Sequence, residues 1–232
     1  MRRQDVGGRF GARLQGKNEM HVSRAASAVA TFVMALALCA APAAARGSRP
    51  DPGRNSPEAI GALYDYARCV TQDHWAAGRA RAILAMDYRT HAASEALRSF
   101  VVTRNMCVPP ASALSANSLL FAGALAEKLL PRDRDLATLV AYDPARPPFQ
   151  ARDEREVMSL CVVRADPAAV AALFATAPAS AEEAAALRAL APRLGQCLRT
   201  GAETRVNGLQ VRALLALAAW RLAALNEGRP QG

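Results

Sequence analysis

The fold of this chain is decided by residues 97–119, LRSFVVTRNMCVPPASALSANSL, which recur 90 positions later as residues 187–209, LRALAPRLGQCLRTGAETRVNGL. At this offset both stretches place a cysteine, an asparagine and two leucines at matching positions. The matches are Leu97 with Leu187, Cys107 with Cys197, Asn117 with Asn207, and Leu119 with Leu209. Upstream, Cys69 matches Cys161 at an offset of 92, so a gap of two residues separates the two registers. Such self-similarity indicates an internal duplication.

Each copy carries apolar residues at helical spacing. One face of a predicted third helix in the first copy is formed by Leu97, Phe100, Val101, Cys107 and Val108, and Pro109 ends that helix. Leucines and Cys197 line the corresponding helix of the second copy. No alternating β-branched run of useful length occurs in the sequence. The sequence therefore predicts an all-α fold of two tandem four-helix repeats, at residues 56–131 and 152–228, each with one disulfide.

Helix starts are signalled by capping residues. Ser56 before Pro57 opens the first helix, and Asp73 opens the second, which extends to about Met86. Asn117 and Asn207 are predicted caps of the two fourth helices, the first of which is expected over about 115–130. Ser180 and Glu183 have the spacing of a capping box, in which each side chain bonds to the other's backbone N–H.

The remaining segments are predicted to be irregular. Residues 46–55 are rich in Arg, Gly, Pro and Ser and are interpreted as a disordered lead-in, and residues 229–232 as a tail. Residues 132–151 are interpreted as a linker whose apolar half, around Leu136 to Tyr142, packs back on a repeat in extended form.

The N-terminal region reads as an export signal. Residues 25–40 form an apolar run, and Ala43-Ala44-Ala45 supplies small residues for cleavage before Arg46. We therefore predict a signal peptide over residues 1–45, with translation starting at Met20. The run is shorter than the ~20 residues of a membrane span, so we expect no transmembrane segment after cleavage and a periplasmic or secreted protein.

Four cysteines remain after cleavage, and an even number in an exported chain is typical of disulfides. The duplication favours pairing within each copy, Cys69 with Cys107 and Cys161 with Cys197, which join the ends of the first and third helices. No pair has Cys-x-x-Cys spacing, so we expect no metal site.

The charge distribution argues against nucleic-acid binding. Residues 46–232 carry 23 basic and 18 acidic side chains, a net charge of +5. The arginines are scattered among acids, whereas a nucleic-acid interface needs them clustered with aromatic residues.

No catalytic motif is present, and we expect no catalytic residue, no cofactor and no enzymatic activity. His74 and His91 are interpreted as surface histidines. Asp65, Asp73 and Asp87 stand at helix ends, where capping explains them. A hydrolase with paired carboxylates stays an alternative, because such pairs need no sequence motif.

Trp220 lies on the last helix between Arg212 and Arg221. This combination fits either a membrane-surface helix or a core helix. The apolar periodicity of Val211, Leu214 and the residues that follow favours the core.

Part of the second copy resembles a known family. The carrying motifs are residues 161–167, CVVRADP, residues 180–183, SAEE, and residues 194–198, LGQCL. They are similar to a family of small exported alphaproteobacterial proteins with a duplicated two-cysteine helical repeat. The first copy departs at Thr71-Gln72-Asp73-His74, which lacks the Asp-Pro pair. The resemblance implies export and α-helical character, and no activity.

These observations together predict an exported, non-enzymatic binding or scaffolding module of the periplasm. We expect it to act through a groove between the repeats, with another envelope protein as a possible type of partner. The alternative from another class is an envelope-associated protein that uses its C-terminal amphipathic helix at the membrane surface.

Overall fold

Nine α-helices, numbered in chain order, lie in the residues that the computed structural model describes, 56–108, 116–198 and 206–229. They are α1 Pro57–Gln72, α2 His74–Ala85, α3 His91–Thr103, α4 Ser118–Leu129, α5 Leu136–Val140, α6 Glu154–Ala165, α7 Pro167–Ala175, α8 Ala181–Cys197 and α9 Gly208–Asn226. No strand occurs in these ranges, which confirms the all-α prediction. The predicted signal peptide, the lead-in and residues 230–232 lie outside the described residues.

Eight of these helices begin at a side-chain cap, which explains why capping residues in the sequence predicted the helix starts. Each cap oxygen accepts a hydrogen bond from the backbone N–H three residues further on. The caps are Ser56, Asp73, Thr90, Asn117, Asp153, Asp166, Ser180 and Asn207. Asn117 and Asn207 are therefore caps, as predicted, and Asn207 forms a full capping box with Gln210.

The third helices of the two segments end differently. α8 runs through Pro192 to Cys197, but α3 stops at Thr103, and Cys107 lies in a separate 3-10 turn, Asn105–Cys107. The prediction that Cys107 and Val108 continue the third helix is wrong. The β-branched run Val101-Val102-Thr103 disfavours helix continuation, and the Thr103 hydroxyl donates to the Ser99 carbonyl at 2.9 Å.

The apolar half of the predicted linker is not extended. It forms α5, whose Leu136, Leu139 and Val140 are buried against α7 and α9. The Asn226 side chain donates to the carbonyls of Leu139 and Ala141, both at 2.9 Å, and fixes the end of this helix.

The centre of the fold is the pair α4 and α9. Every residue from Val211 to Leu225 is buried, and so is every residue from Leu119 to Glu127. The two helices approach closely at Gly123, where an added Cβ would lie 2.4 Å from the Ala213 Cβ. Helices that are apolar on all sides are typical of such enclosed positions.

The two four-helix segments, α1–α4 and α6–α9, do not pack as separate units. Ala213, Leu217 and Trp220 of α9 belong to the core around α1–α4, whereas Leu215 and Leu222 belong to the core around α5–α8. α9 is long and apolar enough to span a membrane, but 83% of its apolar stretch is buried inside the fold. It is therefore the shared core helix.

Two disulfides close the segments. Cys69 is bonded to Cys107, with the Cα atoms 5.8 Å apart, and Cys161 to Cys197, with the Cα atoms 5.6 Å apart. Both Cα distances are ordinary for a disulfide. The bonds join the pairs expected from the sequence, although Cys107 reaches α1 from the 3-10 turn.

Candidate functional site

A buried ion cluster connects the two segments. Arg212 of α9 is 1% exposed, and its guanidinium meets carboxylates from both sides of the fold. Its Nε and Nη2 donate to the two oxygens of Glu127 on α4 at 2.8 and 2.9 Å, a bidentate pairing. Its Nη1 donates to Glu183 Oε1 on α8 at 3.0 Å. Such planar two-point recognition is the strongest kind of ion pair available to arginine.

The remaining donors of the guanidinium are also used. Nη1 reaches the Thr176 hydroxyl at 3.2 Å, and Nη2 reaches the Thr176 carbonyl at 3.1 Å. Burial lowers the pKa of Arg212, but the hydrogen bonds and charge of Glu127 more than offset this, so that its pKa lies above the ordinary value. Arg212 is therefore a fixed positive charge.

Tyr64 of α1 closes the cluster from the first segment. Its ring lies 5.1 Å from the Arg212 guanidinium and 5.2 Å from the Lys128 ammonium, within the range of cation–π attraction. Burial, followed by the charge of Glu127, raises the pKa of Tyr64 far above its usual value. The phenol therefore stays neutral at physiological pH.

An open cleft of about 520 Å³ lies beside this cluster. α4, α5 and α7 all contribute to its walls, so that both segments line it. The apolar lining is Leu130, Pro131, Leu136, Leu139, Ala171, Phe174 and Ala175. The volume and the apolar character are typical of a small-molecule site.

The charges at the cleft are largely balanced. Lys128 is mostly covered, with 18% of its side chain exposed, and pairs with Glu127 Oε1 at 3.0 Å. At the rim Arg134 pairs with Glu227 at 2.5 Å. Arg132 and Asp135, also in the lining, carry opposite charges. The cleft therefore combines apolar side chains with paired charges and carries no large net charge.

A second polar junction ties the start of α6 to the first segment. Arg152 donates to the carbonyls of Ala85 and Met86 at 2.7 and 3.1 Å, and Arg89 pairs with Asp153 at 3.0 Å. These contacts join the end of α2 and the turn that follows it to the two residues just before α6.

Arg221 of α9 stands behind this junction. It is 4% exposed, pairs with Glu156 and faces the Phe149 ring at 4.4 Å. Burial, and then the positive charge of Arg152, lowers the pKa of Arg221 to about 10, so it remains charged at neutral pH. This junction, like the Arg212 cluster, fixes α9 by buried charge.

The residues considered from sequence lie elsewhere. His74 and His91 are exposed. Asp73 caps α2, and Asp65 and Asp87 pair with the nearby Arg68 and Arg89. In the part of the chain that the structure describes, no group of three or more His, Cys, Asp or Glu is placed to hold a metal ion.

Trp220 is 5% exposed within the core, as the periodicity favoured. Arg212 and Arg221, which suggested a membrane-surface helix, are instead buried ion-pair partners. In this fold the last helix offers no free amphipathic face to a membrane.

Sequence reasoning missed Glu127 and Glu183 as members of a site. The predicted capping box at Ser180 is only half formed. The Ser180 hydroxyl accepts from the Glu183 N–H at 3.1 Å, but the Glu183 carboxylate accepts from the Ala179 N–H at 2.6 Å and from Arg212. The available signal was a charge inside an otherwise apolar helix, Glu127 in α4 and Arg212 in α9.

Comparison with known proteins adds no assignment: no protein-family model matches this chain, and no curated protein or solved structure does either.

Proposed function

We propose that this protein is an exported, non-enzymatic binding module whose ligand site is the cleft between its two four-helix segments. One observation carries the proposal: α4 from the first segment and α7 from the second line one apolar cleft of about 520 Å³. Clefts formed where two structural units meet are common ligand sites.

The floor of this cleft is held rigid from below. Glu127 and Lys128 line it, and Glu127 is fixed by two hydrogen bonds from Arg212. A site with fixed walls loses little conformational entropy when a ligand binds, which favours affinity. The buried cluster therefore holds the wall of the cleft in place, and Arg212 itself is not part of the lining.

The ligand class follows from the lining. Seven apolar side chains and paired charges favour a small, mainly apolar molecule that is uncharged or zwitterionic over a polyanion or polycation. Burying an unpaired ligand charge in such a cleft would be costly.

A hydrolase with paired carboxylates is less well supported. Among the described residues, the two buried carboxylates are Glu127 and Glu183, and both face the Arg212 guanidinium. Glu127 lines the cleft, but Glu183 is 3% exposed and is not part of its lining. An acid and a base that act on a substrate need access to it.

Two further observations support the export and the internal duplication that the proposal includes. Two disulfides fit an oxidising compartment such as the periplasm. The turns before α3 and α8 also match: Thr90 N donates to the Asp87 carbonyl, and Ser180 N donates to the Ala177 carbonyl. These equivalent turns, 90 residues apart, support descent of both segments from one ancestral unit.

The test is binding of N-phenyl-1-naphthylamine, an uncharged probe that fluoresces in apolar surroundings. At ~0.3 kcal/mol for each of its roughly 17 non-hydrogen atoms, we expect about 5 kcal/mol and a sub-millimolar Kd. Ala175→Trp fills the cleft from α7 and should abolish saturable binding. Ala172→Trp, at an exposed position of the same helix outside the lining, is the matched control and should bind normally.

Equal saturable binding by both variants would place the probe elsewhere and contradict the proposal. Melting curves of the two variants, recorded by circular dichroism, verify that each is folded before binding is compared.

A further inference from the structure

Four large apolar side chains among the described residues are exposed, and three of them lie at one end of the first segment. They are Trp75 at 81%, Val102 at 70% and Met106 at 81%. We refer to these three residues as the Trp75 patch. The fourth, Tyr142, lies in the segment after α5. Contiguous exposed apolar surface on a folded protein marks an interaction site.

The contacts of α1, α2 and α3 bring the patch together. Arg79 Nη2 of α2 lies 3.4 Å from the Ser99 hydroxyl of α3. Trp75 is one turn from Arg79 towards the start of α2, and Val102 is one turn from Ser99 towards the end of α3. α2 and α3 are joined by a short turn, and the Arg79–Ser99 contact lies near the middle of both helices. We infer from this contact that the start of α2, with Trp75, lies near the end of α3, with Val102.

Met106 joins them through the first disulfide. The 3-10 turn Asn105–Cys107 is bonded through Cys107 to Cys69 in the last part of α1. α1 ends at Gln72, immediately before the first turn of α2. The turn that carries Met106 therefore stands at the same end of the segment as Trp75.

The fold does not require apolar residues at these positions. Aligning the caps Asp73 and Asp166 places Ala168 opposite Trp75, and the 90-residue offset places Gln196 opposite Met106. The second segment thus has a small and a polar residue at these two positions, although Gln196 lies within α8 and Met106 in the 3-10 turn. A function of the surface itself explains the patch better than packing does.

We propose that the Trp75 patch is a lipid-contacting surface that seats the protein on an anionic membrane. Arg79 and Arg104 flank the patch, and neither forms an ion pair within the described ranges. Of the neighbouring carboxylates, Asp65 pairs with Arg68 at 2.5 Å, and Asp73 accepts a hydrogen bond from the Ala76 N–H at the start of α2. Aromatic and aliphatic side chains beside unpaired arginines match the layered chemistry of a membrane interface.

The size of the patch favours lipid over a protein partner. One tryptophan and two smaller side chains offer roughly 400 Å² of apolar surface. A stable protein interface buries about 800 Å² on each partner. Shallow insertion into a bilayer needs no complementary surface and is served by a few side chains.

The experiment uses residues 47–232, the compact unit that contains every described helix. This choice removes the apolar run 25–40, which would itself enter vesicles. The protein is mixed with phosphatidylcholine vesicles with and without phosphatidylglycerol, and bound protein is measured by cosedimentation. We expect binding to the anionic vesicles and a blue shift of tryptophan emission from Trp75, since Trp220, the only other tryptophan, is already buried.

The double variant Trp75→Ser/Met106→Ser should bind anionic vesicles about tenfold more weakly or worse. Tyr142→Ser removes an equally exposed aromatic elsewhere and should bind like the wild type. All substituted positions are exposed, so the variants should retain the wild-type melting temperature.

Three results would overturn the proposal. One is absence of binding to the anionic vesicles. Another is binding that the double variant retains in full. The third is concentration-dependent dimerisation without vesicles that the double variant abolishes, because this would assign the patch to a second copy of the chain.

Discussion

Replacing Arg212 by Met tests whether the buried ion cluster holds the two segments together. The hydrogen bonds of 2.8, 2.9 and 3.0 Å to Glu127 and Glu183 would be lost. Glu127 Oε1 would keep Lys128 as a donor at 3.0 Å, and Glu183 Oε2 would keep the Ala179 N–H at 2.6 Å. Each buried carboxylate would lose the arginine donor on one of its oxygens.

The magnitude follows from those two oxygens. A hydrogen bond to a charged group contributes roughly 1.5–3 kcal/mol, and breaking a buried pair by removing one partner costs about 3–5 kcal/mol. We expect Arg212→Met to lower the free energy of unfolding by about 4 kcal/mol. This is a large share of the ~5–15 kcal/mol that stabilises an ordinary domain.

The assay is equilibrium urea unfolding with both disulfides intact, followed by far-ultraviolet circular dichroism. Arg98→Met is the matched control, because Arg98 pairs with Glu95 at 2.8 Å but 69% of its side chain is exposed. An exposed pair contributes little, so this variant should unfold within about 0.5 kcal/mol of the wild type.

A triple variant separates buried charge from lost packing. Arg212→Met combined with Glu127→Leu and Glu183→Met removes the uncompensated carboxylates, and should regain at least ~2 kcal/mol over Arg212→Met alone. If Arg212→Met unfolds like Arg98→Met, the cluster does not join the segments. If the triple variant is no more stable than Arg212→Met, the loss comes from packing and the electrostatic argument fails.

Three further predictions concern the packing and the charges of the fold. Gly123→Ala should destabilise the protein by about 1–3 kcal/mol, because its Cβ would meet Ala213. Gly78→Ala, with open space around it, should stabilise the protein by ~0.5–1 kcal/mol. Urea unfolding curves that rank the two variants the other way would refute the close α4–α9 contact. Residues 152–228 expressed alone under oxidising conditions should melt non-cooperatively, since α9 would expose Ala213, Leu217 and Trp220; a sharp thermal transition would mean that the second segment has a sufficient core of its own. The hydrogen bonds of Arg89 lower the pKa of Asp87 from 3.8 to about 2, so the contribution of Asp87 to stability is present above pH ~4 and is lost as the pH falls towards 2. Asp87→Asn should therefore lower the free energy of unfolding by about 1 kcal/mol at pH 7 and leave it unchanged near pH 2. A difference between variant and wild type that does not shrink on acidification would contradict this origin.

Features with local signals were predictable from the sequence. Caps such as Ser56, Asp73 and Asn207 act within three residues, so the residue and its neighbours determine the helix start. The cysteine pairing followed from the duplication because both copies impose the same helix order. The end of α3 was missed because the matching apolar positions suggested one continuous helix, and the β-branched run before Arg104 outweighed them.

The candidate site was not predictable because its contacts are distant in sequence. Arg212 and Glu127 are 85 residues apart, and each is a charged residue in a mainly apolar helix, so the sequence does not show that they meet. Glu183 had a sufficient local explanation as a capping-box residue, which concealed its bond to Arg212. The cleft likewise depends on how α5 and α7 pack beside α4, and α5 lay in a segment interpreted as a linker.

α9 contributes to both hydrophobic cores, and this has a consequence for the order in which the protein can fold. Every other described helix precedes α9 in the chain, yet both cores require it. During synthesis, α4 emerges about 80 residues before α9, its main partner, and the surface that α9 covers stays exposed for that interval. Neither four-helix segment can therefore complete its native core before α9 has been synthesised. A chain cut short before residue 208 would expose two incomplete cores instead of one, which makes it a ready substrate for proteases that act on unfolded chains.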